Sequence, residues 1–97
     1  MIVVTGQIFT DPKTLPALFA RLQALCEPSR AEDGCLFYHM GLEDAEKGII
    51  MAMEGWRDME ALQTHLALPA IASLLADFDG KYTNQVTIHE VTSSQKF

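Results

Sequence analysis

A carboxylate and an indole stand two positions apart in this sequence, and an imidazole follows nine positions after the indole: Glu54, Trp56 and His65. Residues two apart on a strand point to the same face, so an extended segment here places Glu54 beside Trp56. If that face lines a cavity, the carboxylate is desolvated and can act as a general base. The indole can then stack on an aromatic ring. If the face is filled core, the same pair is structural.

Further polar and aromatic side chains lie on the predicted strands. His39 and His89 are candidate proton carriers, and a surface or interface position is the alternative for each. The side chains that we consider for binding a small molecule, besides Trp56, are Gln7, Phe37, Tyr38 and Ile50. No two of the histidines and carboxylates have the spacing of metal ligands, so the sequence predicts no metal site.

Each of the three leading residues also has a structural interpretation. Glu54 can pair with Arg57, with a histidine or with a backbone donor. Trp56 can be a core residue that also packs a dimer. His65 lies late in a predicted helix, where capping or packing is an alternative to proton transfer. These alternatives stay open at the level of sequence.

The elements that must position these residues follow from periodicity and from turn residues. Residues 2–9 read as a strand, and a helix begins near Thr14 and ends or kinks at Pro28. Strands follow at 35–42 and 49–56, Asp58 is an N-cap, and Pro69 begins a further helix. A last strand covers about 84–92, with a tail from about 93. This βαββαβ order predicts an α+β, ferredoxin-like fold, with helices on one face of a four-stranded antiparallel sheet.

The second face of such a sheet has no helices to cover it. We expect Thr5, Gln7, Phe37 and His39 there, together with Ile50, Ala52, Glu54 and Trp56, while Ile49, Met51 and Met53 face the helices. This face also carries Val3 and Phe9, and leaving it in water would expose a large apolar patch. The sequence therefore predicts a homodimer in which two sheets enclose a cavity.

Length and composition narrow the function further. The 97 residues predict a single domain over 1–97, and the net charge of −6 makes nucleic-acid binding unlikely. The apolar residues are too scattered for a membrane span. Met1 leads directly into an apolar strand, from which we expect a cytoplasmic protein. In that compartment Cys26 and Cys35 are expected to be free thiols.

Two segments carry a resemblance to a known family: Ser29-Arg30-Ala31-Glu32-Asp33-Gly34-Cys35-Leu36-Phe37-Tyr38, and Glu54-Gly55-Trp56 followed by a helix that carries His65. The sequence resembles the antibiotic biosynthesis monooxygenase family, which consists of small dimeric α+β barrels, over about residues 2–91. It departs from many members at Pro69-Ala70, where they have Pro-His. It also departs from some members at Ala52 and Gln7.

The resemblance implies a monooxygenase that needs no cofactor and that oxidises a small phenolic or quinol-type aromatic substrate with dioxygen. Glu54 is then the first candidate base, and His39 and His65 are further catalytic candidates. Two other functions remain in competition. One is a barrel that binds or isomerises a small hydrophobic metabolite, and the other is a structural or regulatory dimer with a filled core.

Overall fold

The chain folds into four strands and three helices, and the computed structural model describes all 97 residues. The strands are β1 (Ile2–Thr10), β2 (Cys35–Asp44), β3 (Ile49–Trp56) and β4 (Tyr82–Glu90). The helices are α1 (Leu15–Arg30), α2 (Met59–Leu66) and α3 (Pro69–Asp77). The predicted βαββαβ order is confirmed, including the division of the second helical segment before Pro69.

The four strands form one antiparallel sheet in the order β2-β3-β1-β4. One face of this sheet is covered by helices, because the hydrophobic core joins residues of the strands to residues of α1, α2 and α3. The strand residues of this core are Ile2, Val4, Tyr38, Met40, Ile50, Ala52 and Trp56. The ferredoxin-like arrangement is the predicted one. No helix combines the length and the apolar composition that a membrane crossing requires.

The C-terminal end of α1 lies beyond Pro28. The sequence predicts an end or a kink at Pro28, with one more turn from Ser29 as the alternative, and the helix continues to Arg30. A proline removes one main-chain donor, and here it does so at an exposed position. On the other side of the helix, Leu22, Cys26 and Ser29 continue the buried stripe. Packing of that stripe keeps the chain helical beyond Pro28.

The predicted assignment of the two faces of β3 is wrong. Glu54 is paired with Val4 of β1, and directly paired residues point to the same face of a sheet. Glu54 and Trp56 therefore lie on the helix-covered face, whereas Met51 and Met53 are 52% and 48% exposed on the other face. The first five residues of β3 are all apolar, so hydrophobicity does not distinguish the two faces. The register between β3 and β1 decides which face each residue of β3 takes.

The sheet face without helices, called the open face below, carries Thr5, Gln7, Phe37, His39, Met51 and Met53. The positions of Gln7, Phe37 and His39 on this face agree with the sequence prediction. The Gln7 amide donates to both carboxylate oxygens of Glu43, at 2.8 Å each. The Thr5 hydroxyl lies 3.2 Å from Nε2 of His89. The open face is thus a mixture of thioether, aromatic and hydrogen-bonded polar groups.

Candidate active site

Glu54 and Trp56 form a hydrogen-bonded pair near the end of β3. The indole Nε1–H of Trp56 donates to Oε1 of Glu54 over 2.9 Å. The Trp56 side chain is fully buried, and Glu54 is only 9% exposed. The two side chains meet because residues two apart on a strand share a face. The carboxylate is therefore held in place by a neutral donor and not by an ion pair with Arg57.

His65 joins this pair from the helix layer. Asp58 caps α2 by accepting from the backbone N–H of Ala61 at 2.9 Å, and this fixes where the helix begins. His65 then falls on the buried face of α2. Its ring lies 4.7 Å from that of Trp56 and 5.3 Å from that of Tyr38, measured between centroids.

Glu32 completes the cluster from the loop between α1 and β2. One of its carboxylate oxygens, Oε2, lies 2.7 Å from Nδ1 of His65. The close approach of this loop to α2 depends on Gly34, which has a φ of +85°. A Cβ at Gly34 would lie 2.7 Å from that of Ala61. Sequence analysis did not single out Glu32, because its partner lies 33 positions away.

Burial controls the ionisation of the cluster. Desolvation raises the pKa of Glu54, although the Trp56 hydrogen bond and the charge of His65 lower it in part. Desolvation and the nearby Glu54 also raise the pKa of Tyr38. The phenol of Tyr38 therefore keeps its proton, and Glu54 accepts a proton more readily than an exposed carboxylate.

Residues of the sheet and the helices line two adjoining apolar spaces, together called the cleft, and Glu54 and His65 line one of them. Its inner part is a cavity of ≈ 140 Å³ lined by thirteen residues, eleven of them hydrophobic. The polar side chains of this lining belong to Glu54 and His65, and Tyr38 also contributes to it. An adjoining outer part of ≈ 290 Å³ shares with the inner part the residues Ile8, Leu22, Leu74, Leu75 and Val86.

Two polar atoms of the cluster remain free to meet a ligand. Oε2 of Glu54 and Nε2 of His65 make no hydrogen bond within the chain. No fully buried side-chain nitrogen or oxygen lacks a partner, so neither atom is fully buried. Glu54 and His65 both line the inner cavity, so these two atoms are the candidates for contact with a molecule in the cleft. The arrangement can remove a proton from an otherwise apolar ligand.

The structure separates the predicted site residues into two groups. Glu54, Trp56, His65 and Tyr38 meet beside the inner cavity, on the helix-covered face. Gln7, Phe37 and His39 lie on the opposite, open face of the sheet. The prediction that Glu54 and Trp56 face a space between two sheets is therefore wrong. Ile50 was placed on that same face, but it is fully buried in the core and does not line the cleft.

The residues that form the walls of the cleft were interpreted from sequence as core alone. They come from α1, α3, β1 and β4, and they include Leu18, Leu22, Leu74 and Leu75. A helical stripe of leucines is typical of packing, and it carries no signal that some of its members line a cleft. The break at Pro69, between α2 and α3, is the sequence feature closest to such a signal.

No group of three or more His, Cys, Asp or Glu side chains is arranged to hold a metal ion. Cys26 is a buried free thiol on α1, and Cys35 is a partly exposed free thiol at the start of β2. Burial and the charges of Glu32 and Glu54 raise the pKa of Cys35. A thiol of this kind is a poorer nucleophile than an ordinary one at neutral pH.

Comparison with known protein families gives one match. The family model described as "Antibiotic biosynthesis monooxygenase" matches residues 1–76. The matched residues include the whole of the Glu32, Tyr38, Glu54, Trp56 and His65 cluster.

Two relatives are similar in sequence. "Uncharacterized protein sll1783" of Synechocystis is 35% identical over 68 residues, which are 70% of this chain and 46% of that protein. This chain thus spans about half the length of that relative. "Putative monooxygenase Rv0793" of Mycobacterium tuberculosis is 31% identical over 87 residues, which are 90% of this chain and 85% of that protein.

Solved structures share the fold over almost the whole chain. The structure of Rv0793 superposes with a TM-score of 0.84 at 29% identity, covering 98% of each chain. A protein of Deinococcus radiodurans, described as a "putative antibiotic biosynthesis monooxygenase", superposes with a TM-score of 0.88 at 24% identity. That comparison covers 100% of this chain and 98% of the other. At such an identity the likeness concerns the fold alone.

Proposed function

Because the chain belongs to the antibiotic biosynthesis monooxygenase family, we propose that it is an oxidoreductase that oxidises a small phenolic or quinol-type aromatic substrate with dioxygen and without a cofactor. One observation carries the proposal. A desolvated carboxylate, Glu54, lines an apolar cleft, and its Oε2 makes no hydrogen bond within the chain. The apolar walls of the cleft can bind an aromatic ring, and the carboxylate can accept the proton of a phenolic hydroxyl.

The proposed reaction begins with transfer of the phenolic proton to Oε2 of Glu54. The phenolate gives one electron to dioxygen, and the two radicals combine to form a carbon–oxygen bond on the ring. Loss of the ring hydrogen as a proton, with cleavage of the oxygen–oxygen bond, gives a quinone and water. Phenol and dioxygen are thus converted into quinone and water. The two hydrogens of the water molecule are the phenolic hydrogen and the ring hydrogen of the substrate.

The second proton transfer needs a group of its own. We assign the role to His65, which lines the inner cavity. Its Nε2 makes no hydrogen bond within the chain and accepts the ring proton. Trp56 fixes Oε1 of Glu54 by its hydrogen bond, so that Oε2 is the oxygen left for the substrate. The apolar walls exclude water from the reacting ring.

The test is oxygen uptake with a panel of phenols and quinols, with the parent chain compared to Glu54→Gln. Glutamine keeps an oxygen that accepts from the Trp56 indole, so we expect the fold and the KM to stay close to those of the parent. We expect kcat to fall on the order of a hundredfold, as is typical for loss of a positioned base. Glu43→Gln is the matched control, because it makes the same change of charge on the open face.

Two results would count against this proposal. If the parent consumes no oxygen with any member of the panel, the chain is not an oxygenase of this kind. If Glu54→Gln retains the parent kcat, the base is another group.

A second candidate function is supported by the composition of the cleft. Seven of the eight residues that line its outer part are hydrophobic, which is also what a barrel that binds or isomerises a small hydrophobic metabolite needs. The melting temperature of such a barrel would rise when an apolar metabolite binds, and no oxygen would be consumed. Thermal shift and oxygen uptake on the same panel distinguish the two functions.

We also propose that the chain acts as a homodimer whose open faces pack together. Met51 and Met53 lie in the middle of this face, each about half exposed, and a second sheet would cover them. In this assembly the substrate binds inside each protomer, between its sheet and its helices. The space between the two sheets is then an interface and not the reaction site.

A further inference from the structure

We propose that Glu32 is a positioning residue, which holds His65 in the one neutral tautomer that presents a lone pair to the cavity. The inference rests on the proposed function, since it assigns the group that prepares His65 for the second proton transfer. The observation behind it is the contact of 2.7 Å between Oε2 of Glu32 and Nδ1 of His65.

The identity of the partner decides the tautomer. An ionised carboxylate can only accept hydrogen bonds, so Nδ1 of His65 must carry the proton in this contact. In a neutral imidazole the other nitrogen, Nε2, is then unprotonated and can accept. Nε2 makes no bond within the chain and belongs to a residue that lines the inner cavity. We infer from this that the lone pair is the side of the ring offered to the cavity.

The surroundings of the ring leave Glu32 as the group that sets this state. Two other titratable side chains lie near His65: Glu54, which lines the same cavity, and Tyr38, whose ring lies edge-on at 5.3 Å. Neither is hydrogen-bonded to His65. Trp56 contacts the ring at 4.7 Å, but its N–H is already donated to Glu54.

Charge gives Glu32 a second effect on the reaction. When Nε2 takes up a proton, the ring becomes an imidazolium next to the Glu32 carboxylate, and this pair stabilises the positive charge. The His65 side chain is 2% exposed, so that charge has little access to water. Glu32 itself reaches the surface, where it lines a pocket together with Asp33, Arg57 and Glu60. Its own charge is thus partly solvated.

The decisive variant is Glu32→Gln. A glutamine fills the same space and can still hydrogen-bond to Nδ1, so packing is preserved. Its amide can either accept or donate, however, and it carries no charge. We expect His65 to shift from the Nδ1–H tautomer towards the Nε2–H tautomer. We expect kcat to fall on the order of a hundredfold, with KM and melting temperature close to those of the parent.

Nitrogen-15 NMR of the His65 ring, at a pH where imidazoles are neutral, reads the tautomer without any substrate. Glu60→Gln is the matched control: it lines the same surface pocket and has no bond to His65. Glu32→Asp keeps the charge, and we expect it to retain the Nδ1–H tautomer and more turnover than the glutamine variant.

The outcomes separate this inference from the proposed function. A parent His65 that is mostly the Nε2–H tautomer overturns the inference, whatever the activity is. A Glu32→Gln variant that keeps both the parent tautomer of His65 and the parent kcat also overturns the inference. A shift of tautomer in Glu32→Gln, with none in Glu60→Gln, supports the positioning role even if no oxygen uptake is found.

Discussion

Glu54 combines a charge with a buried position, and this has a consequence for stability at different pH values. Desolvation raises its pKa in the folded state above the ordinary value of 4.5. The folded chain therefore binds the proton more tightly than the unfolded chain does. By linkage, the stabilisation from this group is fully present below the ordinary pKa and is lost as the pH rises through the raised pKa.

We predict that Glu54→Gln removes this dependence. The free energy of unfolding of the parent should fall, relative to that of the variant, as the pH rises through the interval above 4.5. Urea denaturation at a series of pH values measures the difference, and Glu43→Gln on the open face serves as the control. Parallel curves for parent and Glu54→Gln would show that the carboxylate is not desolvated.

At the scale of elements, α2 is the part of the fold on which the cluster depends most. Its eight residues bring His65 to the end of β3, and its beginning is set by Asp58. The pKa of Asp58 is lowered, chiefly by the hydrogen bond from the Ala61 backbone. The stabilisation by this cap is therefore complete above the ordinary pKa of an aspartate, and it is lost as the pH falls through the lowered value.

We predict that Asp58→Ala lowers the melting temperature at neutral pH and that the difference from the parent disappears in acid. Asp58→Asn should stay much closer to the parent at neutral pH, because asparagine is also a good N-cap. Calorimetry at neutral and acid pH measures both effects. An equal loss in the alanine and asparagine variants would mean that the charge, and not the hydrogen bond, stabilises α2.

The sequence predicts the elements well, but it predicts their contacts less well. The alternation of β1, the cap at Asp58 and the start of α3 at Pro69 are local features, and each is where the sequence places it. The face of Glu54 depends on the register between β1 and β3. The partner of His65 depends on the close approach of the Gly34 loop to α2. Both are contacts between distant segments, which local patterns do not encode.

At the scale of the whole molecule, the open face leads to a prediction about assembly. A buried charge without a partner opposes association, so Met53→Glu on this face should convert the proposed homodimer into monomers that remain folded. Leu42→Glu is the control. Leu42 is 50% exposed, but its pairing with Ile50 places it on the opposite face. Light scattering gives the mass and circular dichroism gives the fold. A parent that is already monomeric, or a dimeric Met53→Glu, would contradict the proposed interface.

The walls of the cleft and the proton-handling groups come from different elements, and this separation bears on how such proteins diverge. Leu18 and Leu22 of α1 and Leu74 and Leu75 of α3 shape the space, while Glu54 and His65 stand on β3 and α2. A substitution in α1 or α3 can widen, shorten or reshape the cleft and leave Glu54 and His65 where they are. If the proposed function holds, exchange of wall residues changes which substrate the cleft accepts and leaves the proposed proton-transfer groups in place.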